Sequence, residues 1–413
     1  METALPKRGW AFWRWPVVIA AGVAVAGAAV PLLVPVSSFI PTITRIAQEK
    51  IGQPVRLADL RLHLFPTPRV LATGLEVGKR GEVSIEEVEI VPDVLSFISG
   101  PRSIRLVHAS GVKVKQAALA IPDGLPKSEG GGDAILVRRI RLDKVEYQQP
   151  GMKIPPFNLD VELGEALALK GAKLEMRDVS LNIAVEPESP KVAKYVIGGR
   201  AFGGTVNAVA RADSTRQVQL TGKAAVSGME LLPVQALLGK PAQFSGRLKT
   251  DATFSARART ADRLADALSL DAPFEIQGGT YYGYDLSKVG GFSGKLDKGG
   301  STRFDELKGT VQVRGKVVKI TDLCARSPKL VAGGHVDIGA QQELSGKLDV
   351  SVAQTGGFVG IPVNLKGTTA DPWFMPSKGY LIGAAVGTVL MPGIGTSIGS
   401  SVGSRIEGSS DCK

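Results

Sequence analysis

Residues 179–185, VSLNIAV, decide the fold class, because apolar and polar side chains alternate along them one by one. Successive side chains of a β-strand point to opposite faces of its sheet, so this pattern predicts a strand with one apolar and one polar face. The same alternation recurs in the segments 139–143, 159–163, 311–314 and 347–352. The apolar positions expected on one face are Leu181, Ile183, Val185, Val311, Val313, Leu348, Val350 and Val352. The sequence therefore predicts a mainly β protein.

Helical patterns are few, and they fall at 39–51, 231–239, 262–270 and in the C-terminal segment, with a short turn of helix after Pro92. So few helices cannot cover the apolar faces of about 15–20 strands, and an apolar face must be buried. The strand pattern by itself favours a sandwich or a closed barrel. A membrane anchor would make lipid available as the apolar partner, and this favours an elongated, curled antiparallel sheet that forms a trough.

Such an anchor is predicted at Pro16–Val36, a wholly apolar stretch within thirty uncharged residues. About 20 helical residues span the hydrocarbon layer of a bilayer. Lys7, Arg8 and Arg14 precede the stretch, and no further positive charge follows until Arg45. Because positive charge stays on the cytoplasmic side, we expect a single-pass protein with a cytoplasmic N-terminus.

A cleaved signal peptide is the alternative interpretation of this stretch, because small residues around Ala24–Ala28 offer cleavage patterns. An apolar signal region is usually about 7–15 residues long, which is shorter than this one. Both interpretations place the rest of the chain outside the cytoplasm. From the residues alone we therefore expect a membrane-associated protein with most of its chain outside the cytoplasm.

The clearest linker is residues 122–133, PDGLPKSEGGGD, which are rich in proline, glycine and charged residues. With the anchor, it divides the chain into a cytoplasmic stub (1–15), a transmembrane helix (16–36), a helix-plus-sheet module (37–121), the linker (122–133), a β-groove region (134–376) and a Gly-rich apolar C-terminal segment (377–413).

The C-terminal segment is uncharged from Gly379 to Ser404, and its glycines recur every four residues on each side of a Pro-Gly break. Small residues at this spacing let helices approach closely in lipid. We expect two short helices that contact a membrane or close one end of the trough, through Gly383, Gly387, Gly395, Gly399 and Gly403. A flexible glycine-rich tail is the alternative.

Composition limits the classes of partner. The formal net charge is +11, spread without a block of Lys or Arg. A basic protein of the envelope attracts anionic phospholipid head groups, whereas nucleic acid is a poor partner on that side of a membrane. The two cysteines, Cys324 and Cys412, allow one pairing in an oxidising compartment, although Cys412 lies in the glycine-rich tail.

The sequence carries no pattern typical of catalysis. His63, His108 and His335 lie far apart, without a second ligand at metal-binding spacing. Two G-x-S-x-G matches, around Ser397 and Ser401, overlap inside the glycine repeat and lack the strand and helix that a nucleophile elbow needs. There is no Walker loop or dinucleotide fingerprint. We expect no catalytic residues, no metal and no cofactor.

Several segments resemble the AsmA family of envelope proteins. They are 46–78 (IAQEKIGQPVRLADLRLHLFPTPRVLATGLEVG), 84–100 and 104–116 near the start, 234–289 in the middle, and 304–339 and 361–376 near the end. The resemblance implies an elongated β-groove with a hydrophobic lining, related to bridge-like lipid-transfer proteins, and a part in phospholipid traffic to the outer membrane. This chain is short for the family, since 135–230 offers fewer strands than long members have.

With the resemblance, the resulting hypothesis is a non-enzymatic, single-pass protein of the bacterial inner membrane with its bulk in the periplasm. It binds or conveys phospholipid through the groove. Its expected partners are phospholipids, the inner membrane and, at the other end, the outer membrane or a component of its assembly. The alternative is a scaffold that regulates outer-membrane protein assembly and has a closed β core. The two hypotheses differ in whether the apolar face is open.

Overall fold

The computed structural model describes residues 40–97, 102–115, 118, 136–148, 151, 153–164, 168–189, 191–260, 263–286, 298–354, 357–378 and 412. Within them the protein is mainly β, as the sequence predicts, and it has twenty-one strands and two α-helices. The helices are α1 (Ile40–Ile51) and α2 (Leu231–Leu237). The third predicted helix, 262–270, contains a 3-10 turn at Ala265–Ala267 instead.

Neither described helix is long and apolar enough to span a membrane. The predicted stub 1–15 and transmembrane helix 16–36 lie outside the described residues, and so does the linker 122–133. The same holds for the tail glycines Gly383, Gly387, Gly395, Gly399 and Gly403. These predictions stay predictions.

The chain divides into two compact units, and unit 1 contains Met1–Pro150 and Ile154–Arg177. Its strands are β1 (Val55–Arg56), β2 (Asp59–His63), β3 (Arg69–Val77), β4 (Val83–Pro92), β5 (Ser103–Lys115), β6 (Leu136–Val137), β7 (Arg139–Gln148), β8 (Phe157–Leu163) and β9 (Leu169–Met176). β1 and β2 both pair with β3, and the ladder continues in the order β3-β4-β5-β7-β8-β9. A 3-10 turn, Val94–Phe97, follows β4, where the sequence predicts a short helix.

The sequence predicts an antiparallel sheet, and unit 1 departs from it at one place. β5 pairs in parallel with β6 and β7, with Val107 opposite Ile140. A parallel pair requires a crossover, because the chain must return to the end at which the first strand began. That crossover runs from Lys115 to Leu136 and includes the predicted linker, so strands on both sides of 122–133 belong to one compact unit. The division between units falls at Arg177 and Asp178 instead.

Unit 2 contains Gly151–Lys153 and Asp178–Lys413. Its strands are β10 (Val179–Ser189), β11 (Val192–Ala201), β12 (Gly204–Asp213), β13 (Val218–Glu230), β14 (Phe244–Ala258), β15 (Ser269–Tyr284), β16 (Lys298–Arg314), β17 (Val317–Arg326), β18 (Leu330–Ile338), β19 (Leu344–Gln354), β20 (Gly357–Gly367) and β21 (Pro372–Pro376). Each pairs antiparallel with the next. β11 and β12 meet at the two-residue turn Phe202-Gly203, where both φ angles are positive, at 48° and 79°. This is the backbone of a type I′ hairpin turn, which glycine adopts without strain.

Three clusters of buried apolar side chains stabilise the two units. Unit 1 has one, formed by Leu60, Ala72, Val88, Ala109, Val112 and Val145, and Ile40 of α1 packs against it. Unit 2 has a large cluster, which we call the closed core, formed by Tyr284, Leu330, Ala332, Val336, Leu348, Val350, Ile361, Val363, Leu365 and Phe374. Its smaller cluster is Ile276, Phe304 and Leu307, and Leu231 of α2 packs against it.

A disulfide joins Cys324 of β17 to Cys412, with the two Cα atoms 5.4 Å apart. Val318 and Ile320 are on the apolar side of β17, and simple alternation would place Cys324 there too. A register shift between Ile320 and Leu323 reverses the alternation. Leu323 then packs on the closed core, and Cys324 points to the opposite face, beside Gly333. The disulfide therefore holds the end of the chain on the polar face of unit 2.

Candidate functional site

One apolar surface continues from strand to strand across unit 2. On β10 to β13, Ile183 lies opposite Ile197, Ile197 opposite Ala208, and Ala208 opposite Ala224. On β15 to β17, Val311 lies opposite both Ala272 and Ile320. Directly opposed residues of antiparallel strands share a face, so these side chains form one surface.

The eight predicted groove residues divide into two groups by burial. Leu181, Ile183, Val185, Val311 and Val313 are half-buried. Leu348 and Val350 are fully inside the closed core, and Val350 is 0% exposed. Val352 lies opposite Leu330 in the strand register, and the structure describes no more of it. The strand register thus places all eight residues on one face of the sheet, while burial separates its two ends.

We call the half-buried part the open apolar face. It extends over β10–β16 and includes Leu181, Ile183, Val185, Tyr195, Ile197, Val206, Phe254, Leu270, Val311 and Val313. The other side of the same strands is polar and exposed, with Asn182, Arg211, Lys223, Asp251 and Arg257. The part of unit 2 that the structure describes has one helix, α2, and its Leu231 packs on the smaller cluster.

Three phenylalanine rings on this side lie over glycines of the neighbouring strand. The pairs are Gly222 with Phe254, Phe274 with Gly309, and Gly279 with Phe304. A Cβ atom on any of the three glycines would come within 3.1 Å of the facing ring. Each ring therefore occupies the space above a glycine instead of standing up from the sheet. This keeps the surface shallow, which suits a long, flat apolar ligand.

Aromatic rings connect the smaller cluster to the closed core. The ring of Tyr281 lies 5.0 Å from that of Phe244 and 6.5 Å from that of Tyr284, and Tyr284 lies 5.2 Å from Phe374. The Tyr284 hydroxyl donates to the carbonyl of Pro372 at 3.1 Å. Burial, with a smaller contribution from Tyr284, raises the pKa of Tyr281 to about 12.

The raised pKa of Tyr281 predicts a loss of stability at high pH. An unfolded tyrosine ionises near pH 10, whereas folded Tyr281 stays neutral until about 12. The contribution of neutral Tyr281 to the free energy of unfolding is therefore complete below pH 10. It is lost as the pH rises from 10 to about 12, because ionisation then favours the unfolded chain. We expect the urea midpoint of wild type to fall more between pH 10 and 12 than that of Tyr281→Phe. Equal slopes would contradict the assignment.

Unit 1 carries a polar cleft of about 360 Å³ lined by Arg139, Arg141, Asp143, Asn158, Leu159, Asp160, Lys173 and Glu175. Arg139 donates two hydrogen bonds to Asp160, at 2.6 and 2.7 Å, and Arg141 donates to the same carboxylate at 3.2 Å. These arginines, Arg139 first, lower the pKa of Asp160 against the opposing effect of burial. Lys173 pairs with Glu175. The charged side chains of the cleft thus form ion pairs with one another, which favours a structural role for the cleft.

His108 joins three strands of unit 1, an arrangement that the sequence alone does not reveal. Its Nε2 lies 2.7 Å from Asp143 on β7, and its Nδ1 lies 3.7 Å from Glu89 on β4. The parallel pairing of β5 with β7 brings Asp143 to the histidine, and spacing along the chain carries no signal for it. His63 and His335 are exposed. Among the described residues, no group of three His, Cys, Asp or Glu side chains is placed to hold a metal ion.

No protein-family model, no curated protein and no solved structure matches the chain. The candidate site therefore rests on geometry alone.

Proposed function

We propose that this chain binds phospholipid on the open apolar face of unit 2 and conveys it between the membranes of a Gram-negative envelope. In this proposal residues 16–36 anchor the chain in the inner membrane, and both units lie in the periplasm. The sheet of unit 2 curls into a trough, acyl chains lie on the apolar side and head groups stay in water. No catalytic residue, metal or cofactor takes part.

The observation that carries the proposal is the half-burial of a continuous apolar surface whose reverse side is polar. Ile183 and Val311 lie at its two ends, and both keep part of their surface accessible. A soluble monomer rarely exposes a contiguous apolar patch of more than a few hundred Å², and larger patches mark binding sites. The disulfide of β17 supports export, since such bonds persist in oxidising compartments.

The dimensions and energies suit acyl chains. Seven strands at a spacing of about 4.8 Å extend over roughly 29 Å from β10 to β16. A single lipid chain crosses half of a hydrocarbon layer about 30 Å thick, so it fits along this distance. Each buried CH₂ contributes about 0.8 kcal/mol, which holds two chains without a specific polar contact.

The test is lipid analysis of the full chain, purified in detergent and exchanged into a lipid-free amphipol. We expect solvent extraction and native mass spectrometry to show phospholipid in stoichiometric amounts. A protein from the same membranes with a single transmembrane helix and a closed soluble domain serves as the control for annular lipid. Lipid content no higher than that of the control would refute the proposal.

A second candidate function has its own observation. Ten buried residues form the closed core around Val350, as expected for a scaffold that acts through its outer surface. In that case the chain would regulate outer-membrane protein assembly and carry no lipid. The two functions differ at β10–β16, where the scaffold needs a dry interior and the lipid carrier an accessible face.

A further inference from the structure

Two of the most exposed large apolar side chains of the described residues belong to unit 1. Phe65, in the loop between β2 and β3, is 65% exposed, and Leu95, in the 3-10 turn after β4, is 75% exposed. Val94, beside Leu95, is 45% exposed. Single exposed apolar side chains are common, whereas several at one place mark an interaction site.

The strand register brings these side chains to one end of the sheet. Val70 of β3 lies opposite Ile90 of β4, so the loop before β3 and the turn after β4 leave the sheet at the same end. β5 begins there too, because the Asp93 N–H donates to the Ser103 carbonyl at 3.0 Å. We call Phe65, Val94 and Leu95 the apolar tip.

Arginines flank the apolar tip. Arg102 is exposed directly before β5, and Arg138 is exposed directly before β7, with a 3.5 Å ion pair to Asp93. Apolar side chains with exposed arginines at the same end of the sheet match the boundary of an anionic bilayer, where rings and aliphatic chains enter the acyl region and guanidinium groups meet phosphate.

The short connection to the predicted anchor also keeps unit 1 close to a membrane. Three residues separate Val36, the end of the predicted anchor, from Ile40, and four extended steps reach at most about 14 Å. α1 ends near β1, whose Val55 lies opposite Val77 at the far end of β3. Ile40 packs on the buried cluster of unit 1, so the start of α1 lies on the sheet that carries the apolar tip.

We propose that the apolar tip of unit 1 inserts Phe65 and Leu95 into the surface of the bilayer that holds residues 16–36. The contact fixes unit 1 on the membrane instead of leaving it on a free tether. A lipid would then leave the bilayer beside a sheet of fixed orientation. This inference rests on the membrane anchor of the proposed function.

The experiment uses nitroxide labels on the full chain in nanodiscs of phosphatidylethanolamine and phosphatidylglycerol. Cys324 and Cys412 are joined in the disulfide, so the thiol reagent labels only an introduced cysteine. Leu95→Cys and Phe65→Cys place labels in the apolar tip. Lys79→Cys is the matched control, because Lys79 is exposed in the turn at the opposite end of β3 and β4.

We expect oxygen to relax the labels at 65 and 95 more than a water-soluble nickel chelate does, and the reverse at 79. For a depth of a few ångströms into the acyl boundary, the ratio of the two effects should differ on the order of tenfold between the two ends. Labels at 65 and 95 that behave as the label at 79 would overturn the proposal. Labels shielded from both reagents would overturn it as well, since another part of the protein would then cover the apolar tip.

Lipid carriage is read out separately. The exposed positions of Phe65 and Leu95 allow the double variant Phe65→Ser/Leu95→Ser to fold, and its co-purified lipid should stay at the wild-type level in amphipol. If the labels at 65 and 95 are in water and the protein still carries lipid, the membrane contact is refuted and the lipid-binding function is not. If the labels are in the membrane but the protein carries no lipid, the lipid-binding function is refuted and the membrane contact is not.

Discussion

Replacing Ile183 with Asp should abolish phospholipid co-purification while the protein keeps its β content and a cooperative unfolding transition. Ile183 is half-buried on the open apolar face, so a carboxylate there stays in contact with water and costs the fold little. The same carboxylate would lie against the bound acyl chains, and burying an uncompensated charge in apolar surroundings is strongly unfavourable. Lipid extraction and urea unfolding measure the two effects.

Val350→Asp should have the opposite outcome. Val350 is 0% exposed, between Ala332 on β18 and Ile361 on β20, so an aspartate there has no route to water. A change of this kind belongs to the rare class that costs more than about 4–5 kcal/mol. We expect loss of the folded protein, seen as an early, weakly cooperative transition or as aggregation.

Asn182→Asp is the matched control for the pair. Asn182 is next to Ile183, exposed on the polar side of β10, and its replacement introduces the same charge. We expect wild-type lipid content and a stability change within about 0.5 kcal/mol. If Ile183→Asp instead unfolds the protein as Val350→Asp does, β10 faces a closed interior and the scaffold function is the correct one.

Residue alternation predicts the strands of this protein well, because each strand's two faces are encoded in the strand itself. The segments around Ile183, Val311 and Val350 all lie in strands with their apolar positions on one side. Ile183 and Val350 are equivalent by that criterion, yet one is half-buried and the other is not exposed at all. The difference arises from what packs on them, since Tyr284 of β15 and Phe374 of β21 join Val350 in the closed core although neither strand pairs with β19.

Strand partners are less predictable than strands. The parallel pairing of β5 with β7 brings His108 to Asp143 across an intervening stretch of chain, and nothing in either strand's pattern specifies it. The register shift in β17 has a similar effect on a smaller scale. One extra residue near Asp322, which has a φ of 53°, exchanges the faces of the later residues of β17.

Because of that exchange, the disulfide lies on the opposite side of the sheet from the open apolar face. Removing the disulfide should have the second large effect, which falls on the stability of the protein. Cys324 and Cys412 are separated by 88 residues in sequence, and the entropy of closing such a loop is worth about 4.6 kcal/mol at 25 °C. Cys412→Ser removes the bond but leaves the buried sulfur of Cys324 in place. We expect this variant to lose up to about that free energy of unfolding in urea and to keep its bound lipid, since Cys324 points away from the apolar face.

The two single variants separate the bond from the packing around it. Cys324→Ser loses the same bond and also puts a hydroxyl where Cys324 is 4% exposed, so it should be less stable than Cys412→Ser.

Thiol counting on the unfolded chain measures the bond independently. We expect no free thiol in wild type purified from an envelope and two free thiols in wild type made in a reducing cytoplasm. Two free thiols in the envelope protein, or unchanged stability in Cys412→Ser, would show that the bond does not stabilise the native protein. Lipid loss in Cys412→Ser with the fold intact would instead mean that the fastened C-terminus takes part in lipid binding, and the open apolar face would then be only part of the site.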